Sequence, residues 1–249
     1  MKPYPTFRRM RGMTVTLDEK LGLEPARDRV VSIAGAGGKT TLMFALARSR
    51  AREGYTAAVM TTTHILCPKP SETLAVVTGG PQEAARAFSQ GKLVAAGSPD
   101  AECFKMTAPA GETMQYLLDH AQALIIEADG SKRLPIKFPN DTEPVLLPQT
   151  NRVVVVAGLS ALGRPLGEIC HRAPLACERL GLSPREPVTP PVIARLMTEG
   201  YARYRPIVLL NQADTPERLR AGEETAALLR GAFERVCVMS LLQEGYLKC

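Results

Sequence analysis

Gly35-Ala36-Gly37-Gly38-Lys39-Thr40-Thr41 is the stretch whose reading decides the fold. Val30-Val31-Ser32-Ile33-Ala34 precedes it, an apolar run of strand length. Leu42-Met43-Phe44-Ala45-Leu46-Ala47 follows it and reads as the opening of a helix. Strand, glycine-rich turn, Lys-Thr and helix, in that order, form the layout of a phosphate-binding P-loop. Each part has a physical task. Gly35, Gly37 and Gly38 let the backbone bend until several N–H groups, that of Ala36 among them, face one anion. The helix start adds free donors and partial positive charge. Lys39 brings a full charge for the β- and γ-phosphates. The Thr40 hydroxyl, with Thr41 beside it, is the kind of oxygen that holds magnesium.

The general pattern G-x-x-x-x-G-K-[ST] needs a glycine where Ile33 stands, so the loop here is the shorter G-x-x-G-K-T-T. That loop resembles the one in the Mur-type amide ligases. Ala34 occupies the place of the extra lysine of the deviant P-loop ATPases.

Outward from the loop, apolar runs at 56–61, 74–77, 93–96, 124–127, 152–157, 206–210 and 236–239 alternate with helical stretches. Continuous apolar strands between helices imply a mostly parallel sheet covered on both faces. The expected fold is α/β, a three-layer αβα P-loop NTPase-like domain filling residues 1–249 as one unit. Residues 1–28 read as an N-terminal extension with a short helix near 17–23. Residues 97–111 read as a plain loop. Residues 131–150 hold Pro135, Pro139, Pro144 and Pro148, too many for a helix, and long ordered connections tend to carry function. Residues 172–200 read as a helical insertion of two helices, split by Ser183-Pro184 and Pro187.

Ligands of parallel sheets gather at the carboxyl ends of the strands, and the remaining polar motifs fall there. Glu127 and Asp129 end the apolar run Leu124-Ile125-Ile126. A P-loop protein needs a carboxylate at such a place to hold magnesium or to orient the attacking group, and either residue suits. Thr61-Thr62-Thr63-His64 ends another strand; its hydroxyls suit phosphate or metal, and His64 suits acid–base work. Asn211-Gln212-Ala213-Asp214 resembles the N-K-x-D guanine-reading motif of GTPases, with Gln212 in the lysine place. The same residues also suit a helix cap, so ATP and GTP both stay open. Lys132, Arg133, Lys137, Arg164 and Arg172 follow the acidic strand end and its neighbour, where they suit an anionic partner.

Composition bounds the function. The chain carries 31 basic and 25 acidic residues, a net charge of +6 that is spread out rather than blocked, so no nucleic-acid partner is expected. Lys2, Arg8, Arg9 and Arg11 form one small cluster at the start, a solvated arm. Six cysteines, Cys67, Cys103, Cys170, Cys177, Cys237 and Cys249, form no C-x-x-C pair and read as reduced thiols. Cys170-His171 with Cys177 lacks the second ligand pair of a tetrahedral metal site. No apolar run spans a membrane, and a cytoplasmic protein is expected.

Glu127-Ala128-Asp129-Gly130, Pro135-Ile136-Lys137, Glu143-Pro144-Val145 and Asn211–Asp214, in this order after the P-loop, resemble the YqeC-like family from about residue 17 to 240. That family is described as accessory to selenium-dependent molybdenum hydroxylases. Thr142 stands where the family pattern has a histidine, which removes an acid–base group there. The resemblance implies a role in maturing or inserting the hydroxylase cofactor, with the hydroxylase or its cofactor carrier as protein partner. Three chemistries fit: a magnesium-dependent nucleoside triphosphatase using ATP or GTP with Mg²⁺; a ligase or transferase activating a small anion; and a non-catalytic nucleotide sensor or chaperone.

Overall fold

The computed structural model describes residues 15–100 and 104–243. The basic cluster at the start, Cys103 and Cys249 lie outside the described residues. In chain order the elements are α1 (Leu17–Leu21), β1 (Val30–Gly35), α2 (Lys39–Arg52), β2 (Ala57–Thr61), β3 (Ile65–Leu66), β4 (Leu74–Val77), α3 (Pro81–Ser89) and β5 (Leu93–Ala96). Then come β6 (Ser98–Pro99), β7 (Lys105–Thr107), α4 (Gly111–His120), β8 (Ala123–Glu127), β9 (Ile136–Lys137) and β10 (Arg152–Gly158). The chain continues with α5 (Leu166–Ile169), β11 (Cys170–His171), α6 (Ala173–Leu180), α7 (Pro190–Tyr201), β12 (Ile207–Asn211), α8 (Pro216–Leu229) and β13 (Arg235–Val238).

Eight strands form one sheet in the order β13-β12-β10-β1-β8-β2-β5-β4, every neighbouring pair parallel. Such a sheet has no solvated face, which is why β1, β2, β5 and β8 are buried at every residue. Successive side chains go to opposite faces. Val31 and Ile33 of β1 pack with Val59, Ile125 and Val156 under α1 and α2. On the other face Ala58, Met60 and Ile126 meet α3 and α4, while Val155, Val208 and Leu210 meet α6 and α7. The result is a three-layer αβα sandwich.

α2 begins at Gly38 with no side-chain cap and closes at Glu53, with Gly54 in the left-handed region at φ 93°. The extension 1–28 is tied to it where described: Thr16 and Glu19 form a capping box on α1, and Asp18 pairs with the buried Arg50 at 2.7 Å. Residues 97–111 differ from the expected loop. They contribute β6 and β7, which pair antiparallel with each other and with β3 as a small three-stranded sheet. Residues 172–200 hold two helices, α6 and α7, packed into the core beneath β10 and β12.

Candidate functional site

The glycine-rich loop stands at the carboxyl end of β1, between β8 on one side and β10 on the other. Its shape is dictated by what surrounds it. The Ala36 N–H donates to the Val156 carbonyl at 2.8 Å, and the Gly37 carbonyl accepts from Asn211 Nδ2 at 2.8 Å. Gly37 and Gly38 have φ of 78° and 126°. A Cβ at Gly37 would collide with the Gly158 main chain, and one at Gly38 with the Asn211 amide. Glycine is therefore required for space as well as for conformation.

Lys39, the first residue of α2, is only 3% exposed. Its Nζ donates to the Gly35 carbonyl at 2.9 Å and lies 3.5 Å from Glu127 Oε1 and 3.3 Å from Asp129 Oδ1. The Thr40 hydroxyl donates to Glu127 Oε2 at 2.6 Å. Burial pushes the Glu127 carboxyl above its ordinary value, against the opposing pull of Lys39 and of the Thr40 hydrogen bond.

The two carboxylates stand in different surroundings. Glu127 lines an open cleft of about 1310 Å³ together with Gly37, Gly38, Lys39, Thr40 and Thr41. Asp129 is fully buried behind the loop. Its Oδ2 accepts from the Gly35 N–H at 3.1 Å and pairs with Lys137 at 2.9 Å. Lys137, also fully buried, reaches Glu143 at 2.9 Å and donates to the Gly130 carbonyl at 2.7 Å. Arg172 Nε closes the series on Glu143 at 3.1 Å. Charges thus alternate from Lys39 through Asp129, Lys137 and Glu143 to Arg172. Burial alone would raise the Glu143 carboxyl, but its hydrogen bonds with Arg172 and Lys137 hold it below the ordinary value. Sequence reasoning placed Lys137 and Arg172 among the cations suited to an anionic partner. Both instead pair with carboxylates of the fold, Lys137 from the two-residue strand β9 and Arg172 from the N-cap of α6.

The threonines after β2 are engaged by the protein. The Thr61 hydroxyl donates to the Glu127 carbonyl at 3.0 Å and that of Thr62 to the Val145 carbonyl at 3.1 Å. His64 is exposed and lines the cleft wall. The Asn211–Asp214 motif divides. Asn211 is buried and braces the loop; Gln212, at φ 66°, lines the cleft and accepts from Ser160 Oγ at 2.6 Å. Asp214 stands off the cleft, its carboxylate taken by the Ser240 hydroxyl and, at 3.5 Å, by Arg218. Thr215 caps α8 in its place by accepting from the Arg218 N–H.

Among the described residues, no three His, Cys, Asp or Glu side chains gather as a metal site. Burial pushes the Cys170 thiol up to about 12, so it stays protonated and inert. Thr40 and Glu127 are hard oxygen donors that fit magnesium completed by phosphate oxygens and water. No helix among the described residues is long and apolar enough to cross a membrane.

A family model described as YqeC protein matches residues 31–174, more than half of the chain. The chain is also 31% identical over 169 residues to a protein of Escherichia coli strain K12 named uncharacterized protein YqeC, covering 64% of this chain and 63% of that one.

Proposed function

The chain belongs to the YqeC family, and from that premise and the loop geometry we propose that it binds a magnesium–nucleoside triphosphate and hydrolyses it. One observation carries this reading: Lys39 lies between Glu127 and Asp129 at the mouth of an uncapped helix, on a loop where no side chain larger than glycine fits at Gly37 or Gly38. The N–H groups of Gly37, Gly38 and the start of α2 hold the phosphates, whereas those of Gly35 and Ala36, the latter expected from sequence to face the anion, are spent inside the fold on Asp129 and Val156. Lys39 leaves the Gly35 carbonyl to neutralise the terminal phosphates. Thr40 gives up its hydrogen bond to Glu127 so that both face the metal, and Glu127 also suits the ordering of the attacking water. Asp129 keeps the loop in shape through Gly35 and Lys137.

The nucleotide is ATP or GTP; with Asp214 already shared between Ser240 and Arg218, strong preference for guanine through that carboxylate is not expected. We place the activity in maturation of a molybdenum hydroxylase cofactor, selenium-containing forms included, with the hydroxylase or its carrier as partner. That assignment is supported by the order of the E-A-D-G, P-x-K and E-P-V motifs alone.

Phosphate release from magnesium–ATP and magnesium–GTP tests the reaction. Turnover by the native protein that is lost in Thr40→Ala and in Glu127→Gln is expected. Turnover that is unchanged in both variants contradicts it, and tight binding without turnover, with the partner present, favours a nucleotide sensor instead.

A further inference from the structure

We infer that the outer part of the cleft is a second binding site, for a small organic anion with an apolar or flat body, lying beside the nucleotide. The inference rests on the reading of the loop as a nucleotide site. Its first support is size: about 1310 Å³ exceeds the roughly 300–1,000 Å³ of a single small-molecule pocket.

Charge gives the second support. Lys105 stands on β7 of the small antiparallel sheet, Lys69 on the segment that follows β3, and Lys132 and Arg133 on the connection after β8; all four line the cleft. None of the four meets a carboxylate among the described residues, whereas Arg164, also on the cleft, pairs with Glu168 at 3.8 Å. Among the residues lining the cleft, Glu127 is the one carboxylate, and it sits at the loop, already facing Lys39 and Thr40. On the proposed reading the triphosphate is held by Lys39 and the N–H groups at the start of α2. The four remaining cations repel one another across the cleft, and an anion between them relieves that repulsion.

Backbone conformation is the third support. Lys132 and Arg133 are consecutive non-glycine residues in the left-handed region, at φ 50° and 61°. Such residues are strained and persist where the surroundings over-determine them. Here Leu134 N–H donates to the Ser131 carbonyl at 3.0 Å, and Lys137 holds the Gly130 carbonyl from below. The turn is thereby fixed at both ends, and both cations are held on the cleft. Ile65, Leu66 and Leu134 supply the apolar part of the lining, which suits an organic ligand rather than a bare inorganic ion.

Pyridoxal 5′-phosphate is a suitable probe, because it carries a phosphate on a flat ring and its aldehyde condenses with lysine amines with loss of water. Borohydride then reduces the imine to a stable amine for peptide mapping. With the full chain and saturating magnesium–nucleotide, label is expected on Lys69, Lys105 and Lys132 in preference to Lys92, which stands outside the cleft, while Lys39 is protected. Arg133→Glu is expected to suppress the cleft label several-fold and leave Lys92 unchanged. Label spread evenly over Lys92 and the cleft lysines would overturn the inference. So would nucleotide protecting the cleft lysines together with Lys39, since one ligand would then fill the whole cleft. Lys39 left unprotected by nucleotide would instead overturn the reading of the loop.

Discussion

Lys39 does two jobs with one charge. In the structure it neutralises two buried carboxylates and closes the loop on Gly35. On the proposed reading it turns toward phosphate when nucleotide binds. Lys39→Ala removes a charged hydrogen-bond donor worth about 2 kcal/mol, so triphosphate affinity is expected to fall roughly 30-fold by titration calorimetry. Glu127 sets a pH dependence. Magnesium needs the ionised carboxylate, and burial raises the Glu127 midpoint above the ordinary 4.5. Magnesium-dependent binding is therefore expected to fade, as the pH drops, at a midpoint above 4.5, and Glu127→Gln should abolish that step. For folding the sign is reversed. A raised carboxyl holds its proton more tightly in the native state, so its ionisation costs stability as the pH rises from 4.5 through the raised value. Tyr201 is a simpler case: its hydroxyl is fully buried without a hydrogen-bond partner among the described residues. Tyr201→Phe is expected to raise stability by about 1 kcal/mol in a denaturant titration.

The connection between β8 and β10 carries the ion pairs that brace the loop from behind. It is proline-rich, yet it is anchored at intervals. β9 pairs with β11, Lys137 joins Asp129 to Glu143, and the Val145 N–H donates to the Ala128 carbonyl at 2.9 Å. Lys137→Met leaves the buried Asp129 and the half-buried Glu143 short of a partner and is expected to cost about 3–5 kcal/mol in thermal or denaturant unfolding. Because the Glu143 carboxyl is held low, its share of stability is present above 4.5 and is lost as the pH falls through its folded value. The prolines announced an irregular segment, but the role of Lys137 was not legible. Its neighbours Lys132 and Arg133 look alike in sequence and line the cleft, whereas Lys137 faces inward from a two-residue strand. The small sheet of β3, β6 and β7 was missed for a related reason: strands of two or three residues are too short to display a period.

At the scale of the molecule, the parallel sheet was readable because its strands are continuous apolar runs, such as Leu124–Ile126 and Ile207–Leu210, buried on both faces. The layout of strand, loop and helix at Gly35–Thr41 likewise needs only local sequence. Which residues meet across the loop depends on strand order instead. Asn211 reaches Gly37 from 174 residues away because β12 stands next to β10 and β10 next to β1. A ligand that binds this junction ties together both halves of the sheet. At a concentration 100 times its Kd, magnesium–nucleotide is expected to add about 2.7 kcal/mol and raise Tm by roughly 5–10 °C. The most direct measurement is a calorimetric titration of the native chain and of Lys39→Ala with ATP and with GTP, each with and without magnesium. The expected result is magnesium-dependent saturable binding of at least one triphosphate by the native chain, much weakened in the variant. No binding by the native chain, or equal binding by the folded variant, would contradict a phosphate site at Gly35–Thr41.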